Sequence, residues 1–223
     1  MVNFVNKKFI KFYIGSKNIR SHIDAVHACP PKADEFTGDI VEGVVNKINC
    51  SGIIAIISRT IFDLNRTRNI NNKEGIDEYR QTIRENLEHI GNLDENGKLS
   101  RPYLHLAIHG MKDKRKGDIE IGTLYDKTCS PEVKKWFVSE IKRHFKRMQI
   151  DERFPGDSSK PVHRCGDQTS DLNYLGYGNN FTTFQIEISR ILRENHQKEL
   201  INMFSDIIIH FNEKYKWTVR DSV

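Results

Sequence analysis

Apolar positions along the chain fall into two rhythms. Short runs rich in β-branched residues, bounded by polar or glycine-bearing segments, occur at 23–28 (IDAVHA), 52–58 (GIIAIIS), 102–110 (PYLHLAIHG), 118–123 (DIEIGT) and 182–188 (TTFQIEI). Runs of this length and composition predict strands, several of them buried on both faces. Between them the spacing turns helical. Thr37 stands where an N-cap would precede Ile40, Val41, Val44, Val45 and Ile48, and residues 75–91 set Ile76, Tyr79, Ile83, Leu87 and Ile90 on one side. Ser130-Pro131-Glu132 opens a third helix carrying Val133, Trp136, Phe137, Ile141 and Phe145. A last helix over roughly 189–215 carries Ile191, Leu192, Leu200, Ile201, Phe204, Ile207, Ile208 and Phe211, a stripe wide enough to pack across a sheet.

Strands alternating with helices predict an α/β chain, a three-layer α/β/α arrangement around a mixed central sheet. At 223 residues with 37% hydrophobic content the chain can bury a core as one domain, 1–223. No apolar run is long enough to span a bilayer, and the opening MVNFVNKKFIKFYIGSKN lacks a signal-peptide core, so a soluble, cytoplasmic protein is expected. Cys29, Cys50, Cys129 and Cys165 are widely spaced and expected to be reduced. The net charge of +5 is spread along the sequence with no basic block interleaved with aromatics. That pattern argues against a nucleic-acid groove and leaves room for a small anionic substrate.

In sheets of this kind ligands sit beyond the carboxyl ends of the strands. His27 and His109 each stand at the end of an apolar run, and Asp34 and Glu35 follow His27 closely enough for a loop to bring one carboxylate back. A zinc site of two histidines and one of these acids, with one position left for water, is the chemistry this pattern allows. Arg59, Asn65 and Arg66 leave the second buried run together and offer two guanidinium forks and an amide to a carboxylate or a developing oxyanion. The plainer alternative is that Arg59 pairs with Asp63 at the surface. Glu187, inside an apolar strand, is either a general base and acid or a solvent-facing residue on a half-exposed strand. His105 lies on the face of His109, and His22 is expected to be exposed. Tyr174 and Tyr177 are candidates to close over a substrate, and His163 and Cys165 lie in the same long 151–181 segment.

Taken in order, VHACPP, SRTIFDLNR, LHLAIHG, DIEIGTLYDKTCSP and YGNNFTTFQIEISR resemble the N-formylglutamate amidohydrolase family over about residues 20–195, with DLNR (63–66) and QIEIS (185–189) the most specific parts. That family is distantly similar to the zinc carboxypeptidases. The resemblance implies a phosphorylase/hydrolase-like fold and a zinc-dependent amidohydrolase acting on an N-acylated amino acid. It makes His27 and His109 metal ligands and Glu187 the catalytic glutamate. Asn65 and Arg66 become the carboxylate grip, and Arg59 the residue that polarises the scissile carbonyl. A carboxypeptidase-like or polyglutamate-cleaving metallohydrolase is the nearest alternative, followed by an inactive family member that binds carboxylates. The chain departs from the family at three points: His27 lies in Val-His-Ala rather than a Pro-His-Gly turn, Pro30 stands where the carboxypeptidases carry a zinc-binding glutamate, and His109 has no acidic neighbour.

Overall fold

The computed structural model describes residues 1–113, 118–156 and 176–216. In chain order the elements are β1 (Val5–Asn6), β2 (Ile10–Tyr13), β3 (Ser21–Ala25), α1 (Thr37–Ile48), β4 (Ser51–Ala55), α2 (Lys73–His89), β5 (Tyr103–Met111), β6 (Ile119–Gly122), α3 (Pro131–His144), β7 (Met148–Ile150), β8 (Phe181–Ser189), α4 (Arg190–Asn195) and α5 (Gln197–Lys214). The eight strands form one mixed sheet in the order β1-β2-β4-β3-β5-β8-β6-β7. Its centre, β4-β3-β5-β8, is parallel, while β2 and β6 join it antiparallel.

Helices lie on both sides, giving the expected three layers, and strand alternation decides what each side holds. On one face Ile23, Ala25, Leu104, Leu106, Ile108, Phe184, Ile186 and Ile188 pack against α1, α3 and α5 in a continuous apolar core. On the other, α2 lays Ile76, Tyr79, Ile83 and Leu87 over Ile53, Val26 and Tyr103. Neighbouring positions on that second face are polar: His22, Asp24, His105, His109, Thr183, Gln185, Glu187 and Glu120 are all buried. Buried polar groups are costly without partners, so their concentration on one face makes that face the candidate for the site.

Several local expectations change. The strand predicted at 23–28 ends at Ala25, which leaves His27 in the following turn. Thr37 does not cap α1 by accepting; it is the first helical residue, and its hydroxyl donates back to the Asp34 carbonyl at 2.7 Å. Ser130 does cap α3, accepting from the Val133 N–H at 3.2 Å with Pro131 behind it. The single last helix is two helices that meet at His196, where asparagine and histidine, weak helix formers, stand side by side. Among the described residues no helix is long and apolar enough to cross a membrane.

Candidate active site

Parallel strands β3, β5 and β8 deliver their residues to one edge of the sheet. Register places His109 beside Glu187, and Glu187 beside Glu120 one strand further, a row across three strands. After β3, the turn at His27 is held by the Asp34 N–H, which donates to the His27 carbonyl at 2.8 Å. Two bonds from Thr37, one from its hydroxyl and one from its N–H, then fix the Asp34 carbonyl. The loop between His27 and α1 is thereby folded back so that its acid returns to its histidine.

His27, Asp34 and His109 converge. Asp34 Oδ2 lies 3.5 Å from His27 Nδ1 and 3.5 Å from His109 Nδ1, and the two rings meet edge to face with centroids 5.0 Å apart. Ligands at about 2.0–2.1 Å in tetrahedral array stand about 3.3–3.4 Å from one another, so this donor set suits a tetrahedral metal ion. On its far side the His27 ring is held by Asp63, whose Oδ1 is 2.8 Å from Nε2. Arg59 Nη1 donates to His27 Nδ1 at 3.0 Å, which makes Nδ1 the acceptor and leaves the Nε2 proton for Asp63. A carboxylate that fixes the tautomer and orientation of a histidine is the usual support of a metal-binding imidazole.

The electrostatics agree with the geometry. Burial opposes charge on Asp34, but the neighbouring His109 and His27 outweigh it and hold the carboxyl far below its ordinary range. Burial also opposes charge on His27, and the neighbouring Asp34 and Asp63 carboxylates overcome that and raise its pKa. Asp63 is lowered in turn, burial being outweighed by its bond to His27. The cluster therefore favours an anionic Asp34 with positive charge drawn against it. Arg59 answers that demand through Nη2, 3.1 Å from Asp34 Oδ1.

Around this centre the expected residues divide. Glu187 is only 6% exposed, so it is not the solvent-facing acid of a half-open strand, and Gln185 Nε2 donates to its Oε1 at 2.9 Å. Asn65 is buried, and Arg66 is half-exposed with Nε 3.4 Å from Asp63 Oδ2. Arg59 does not pair with Asp63 but with Asp34 and His27. Glu35 is placed outside the cluster: its carboxylate is 53% exposed and pairs with Arg190 at 2.9 Å, because successive loop residues point apart. Tyr177 is likewise misplaced as a substrate contact. It stacks on Phe181 at the start of β8, in the α2 core. Six strand residues, about 20 Å, separate Phe181 from Glu187. His22 is buried in β3 rather than exposed, and Tyr174, His163 and Cys165 lie outside the described residues. Sequence reasoning passed over Gln185 as a partner of Glu187, although their two-residue spacing already put them on one face, and it passed over Arg193.

No protein-family model matches the chain, and no curated protein matches it by sequence. Solved structures do. The crystal structure of N-formylglutamate amidohydrolase from Ralstonia eutropha superposes with a TM-score of 0.64 at 12% identity, covering 96% of this chain and 99% of that one. A gene product from Agrobacterium tumefaciens gives 0.53 at 12% identity, with 93% of each chain covered. A bacteriophage poly-gamma-glutamate hydrolase gives 0.53 at 12% identity, covering 94% of this chain and 93% of that one. The fold is thus the α/β/α fold of these structures, shared along nearly the whole chain.

Proposed function

We propose that the chain is a zinc-dependent hydrolase that cleaves the amide bond of an N-acylated amino acid such as N-formylglutamate. The observation that carries this reading is the convergence of His27 Nδ1, Asp34 Oδ2 and His109 Nδ1, with Glu187 on the strand beside His109. His27, Asp34 and His109 are the residues that would hold the ion, and what it supplies when bound is Lewis acidity toward water and the scissile carbonyl.

The chain's own residues do the rest. Glu187, steadied by Gln185, takes the proton of the attacking water and passes it to the departing amine. Arg59, whose Nη1 donates to the His27 Nδ1 lone pair that an ion would need, is the guanidinium placed to steady the developing oxyanion once that lone pair is given up. Asn65 and the half-exposed Arg66 grip the substrate carboxylate as a planar donor set.

The test measures zinc per chain and hydrolysis of N-formylglutamate together. Glu187→Gln keeps the metal and lowers kcat by about 10²–10⁴, the usual worth of general acid–base catalysis. His109→Ala loses both metal and turnover. A Glu187→Gln protein with wild-type turnover overturns the mechanism, and a wild-type protein that takes up no zinc overturns the metal centre.

A further inference from the structure

Arg193, on the short helix α4, is 5% exposed. Its Nε donates to the Ile188 carbonyl at 3.0 Å, and its Nη1 donates to the Glu35 carbonyl. The third contact is with Gly110. A Cβ built at that position would lie 2.6 Å from Cζ and 2.7 Å from Nη2 of Arg193, so the guanidinium occupies the space any other residue at 110 would fill.

The three segments touched are not arbitrary. Glu35 follows Asp34, Gly110 follows His109, and Ile188 follows Glu187. On a strand the next residue faces the opposite way, so Arg193 grips β5 and β8 from behind while His109 and Glu187 project forward. Burial lowers its pKa, and the nearby charges of Asp34 and Glu187 act against that loss. Arginine suits the task because its planar fork sends fixed donors to two carbonyls at once, whereas a lysine ammonium is a single point.

We infer that Arg193 is the positioning residue of this site: from behind the sheet it sets the mutual placement of the Asp34 loop, the His109 strand and the Glu187 strand. Gly110 is its complement, kept small so that the guanidinium can lie there. This rests on the metal-centre reading above for its chemical consequence, but not for the placement itself.

Two variants and three readouts test it. Arg193→Met removes the fork, and Gly110→Ala displaces it without touching a site side chain. Zinc affinity is measured by chelator competition, and the visible absorption of the cobalt-loaded protein reports the ligand geometry. Amide exchange of Asp34 and Thr37 in metal-free protein reports the loop. Loss of a supporting hydrogen bond behind metal ligands typically costs about 10–100-fold in affinity. Both variants are expected to lose zinc affinity on that scale, shift the cobalt bands and exchange faster at the two amides, with Arg193→Lys intermediate. If Arg193→Met does not fold, Gly110→Ala and Arg193→Lys carry the test. Wild-type affinity, spectrum and exchange in folded variants overturn the inference. A wild-type protein that binds neither metal defeats the metal centre instead, and amide exchange alone then decides for or against Arg193.

Discussion

His22, Asp24 and His105 repeat, on the same sheet face, the residue types of His27, Asp34 and His109; four residues of strand, about 13 Å, separate His105 from His109. Both groups are buried, and both bring their ligand-type atoms within 4.8 Å. Ring orientation separates them. His22 and His105 stack flat, 4.2 Å apart at 4°, so their in-plane lone pairs run side by side instead of meeting. Three of their four ring nitrogens are engaged in the core, His22 Nε2 being the one without a hydrogen-bond partner among the described residues: Tyr103 OH meets His22 Nδ1 at 2.8 Å, Thr183 Oγ1 meets His105 Nδ1 at 2.8 Å, and Asp24 Oδ2 accepts from Tyr79 and sits 2.8 Å from His105 Nε2. At the sheet edge the rings stand at 77°, and two Nδ1 atoms face one carboxylate oxygen. Residue identity alone does not separate the proposed metal site from a core network; the placement of His27 and Asp34 in a turn and a returning loop, against His22 and Asp24 within β3, does. Mid-strand side chains are locked parallel, while a turn and a returning loop can aim donors inward.

Exchanging the two aspartates gives the largest expected effect. Asp24→Ala strands the Tyr79 hydroxyl and His105 Nε2 in the core, and removing one partner from such a buried network costs about 3–5 kcal/mol. Asp34→Ala abolishes metal uptake, with a smaller loss of stability in the metal-free protein. Urea denaturation of metal-free samples and metal analysis of folded ones measure both, with Asp24→Asn as the gentler replacement if Asp24→Ala is not recovered. Metal lost from a folded Asp24 variant, or a second metal per chain in the wild type, would break the distinction.

Acid sharpens the contrast by a smaller amount. Complete burial lowers the His22 pKa well below its ordinary value, assisted by His105 nearby. The unfolded chain therefore binds a proton near pH 6.5 that the folded protein refuses, and stability falls as pH drops below that point. The slope for one such group is about 1.4 kcal/mol per pH unit. His27 has a raised pKa, so its contribution is full below pH 6.5 and is lost only as pH rises through the folded value. Between pH 6 and pH 5 the His27 term is nearly flat and the His22 term is steep. Urea midpoints of metal-free wild type should fall across that window, and His22→Asn should flatten the fall even if its midpoint is lower throughout. An equal slope in both proteins would remove His22 as the acid-sensitive group.

The strands that carry the site were legible because buried β-branched runs have no other reading at that length, and Ser130-Pro131 announced α3 through its cap chemistry. The short strands β1, β2 and β7 at the two ends of the sheet, of two to four residues, carry too little pattern to stand out. His27, His109 and Glu187 could be proposed from their places at the ends of runs. Three other placements could not. Arg59 has several acids within reach of a flexible side chain, and only the loop decides between Asp63 and Asp34. Tyr177 precedes the Glu187 strand in sequence, but a parallel strand puts what precedes it at the opposite edge of the sheet from what ends it. Arg193 belongs to a stretch that reads as one long amphipathic helix, and the break at His196 is what leaves α4 free to present it.

The smallest expected effect tests the choice between neighbouring acids. Asp34 and Glu35 are equivalent on sequence spacing, yet the loop sends one inward and the other to Arg190 at 2.9 Å, where Glu35 is 53% exposed. An exposed pair of this kind is worth about 0–1 kcal/mol, because solvent screens the charges and both side chains lose rotamer freedom. Glu35→Ala is therefore expected to keep the full metal content and to move the urea midpoint by no more than that. The contact that Arg193 makes is to the Glu35 backbone carbonyl, which the substitution leaves in place. Zinc titration of Glu35→Ala beside Asp34→Ala separates the two directly. Were Glu35→Ala to lose its metal while Asp34→Ala kept it, the carboxylate ligand would have to come from Glu35, and the loop between His27 and α1 would have to adopt a different path when loaded.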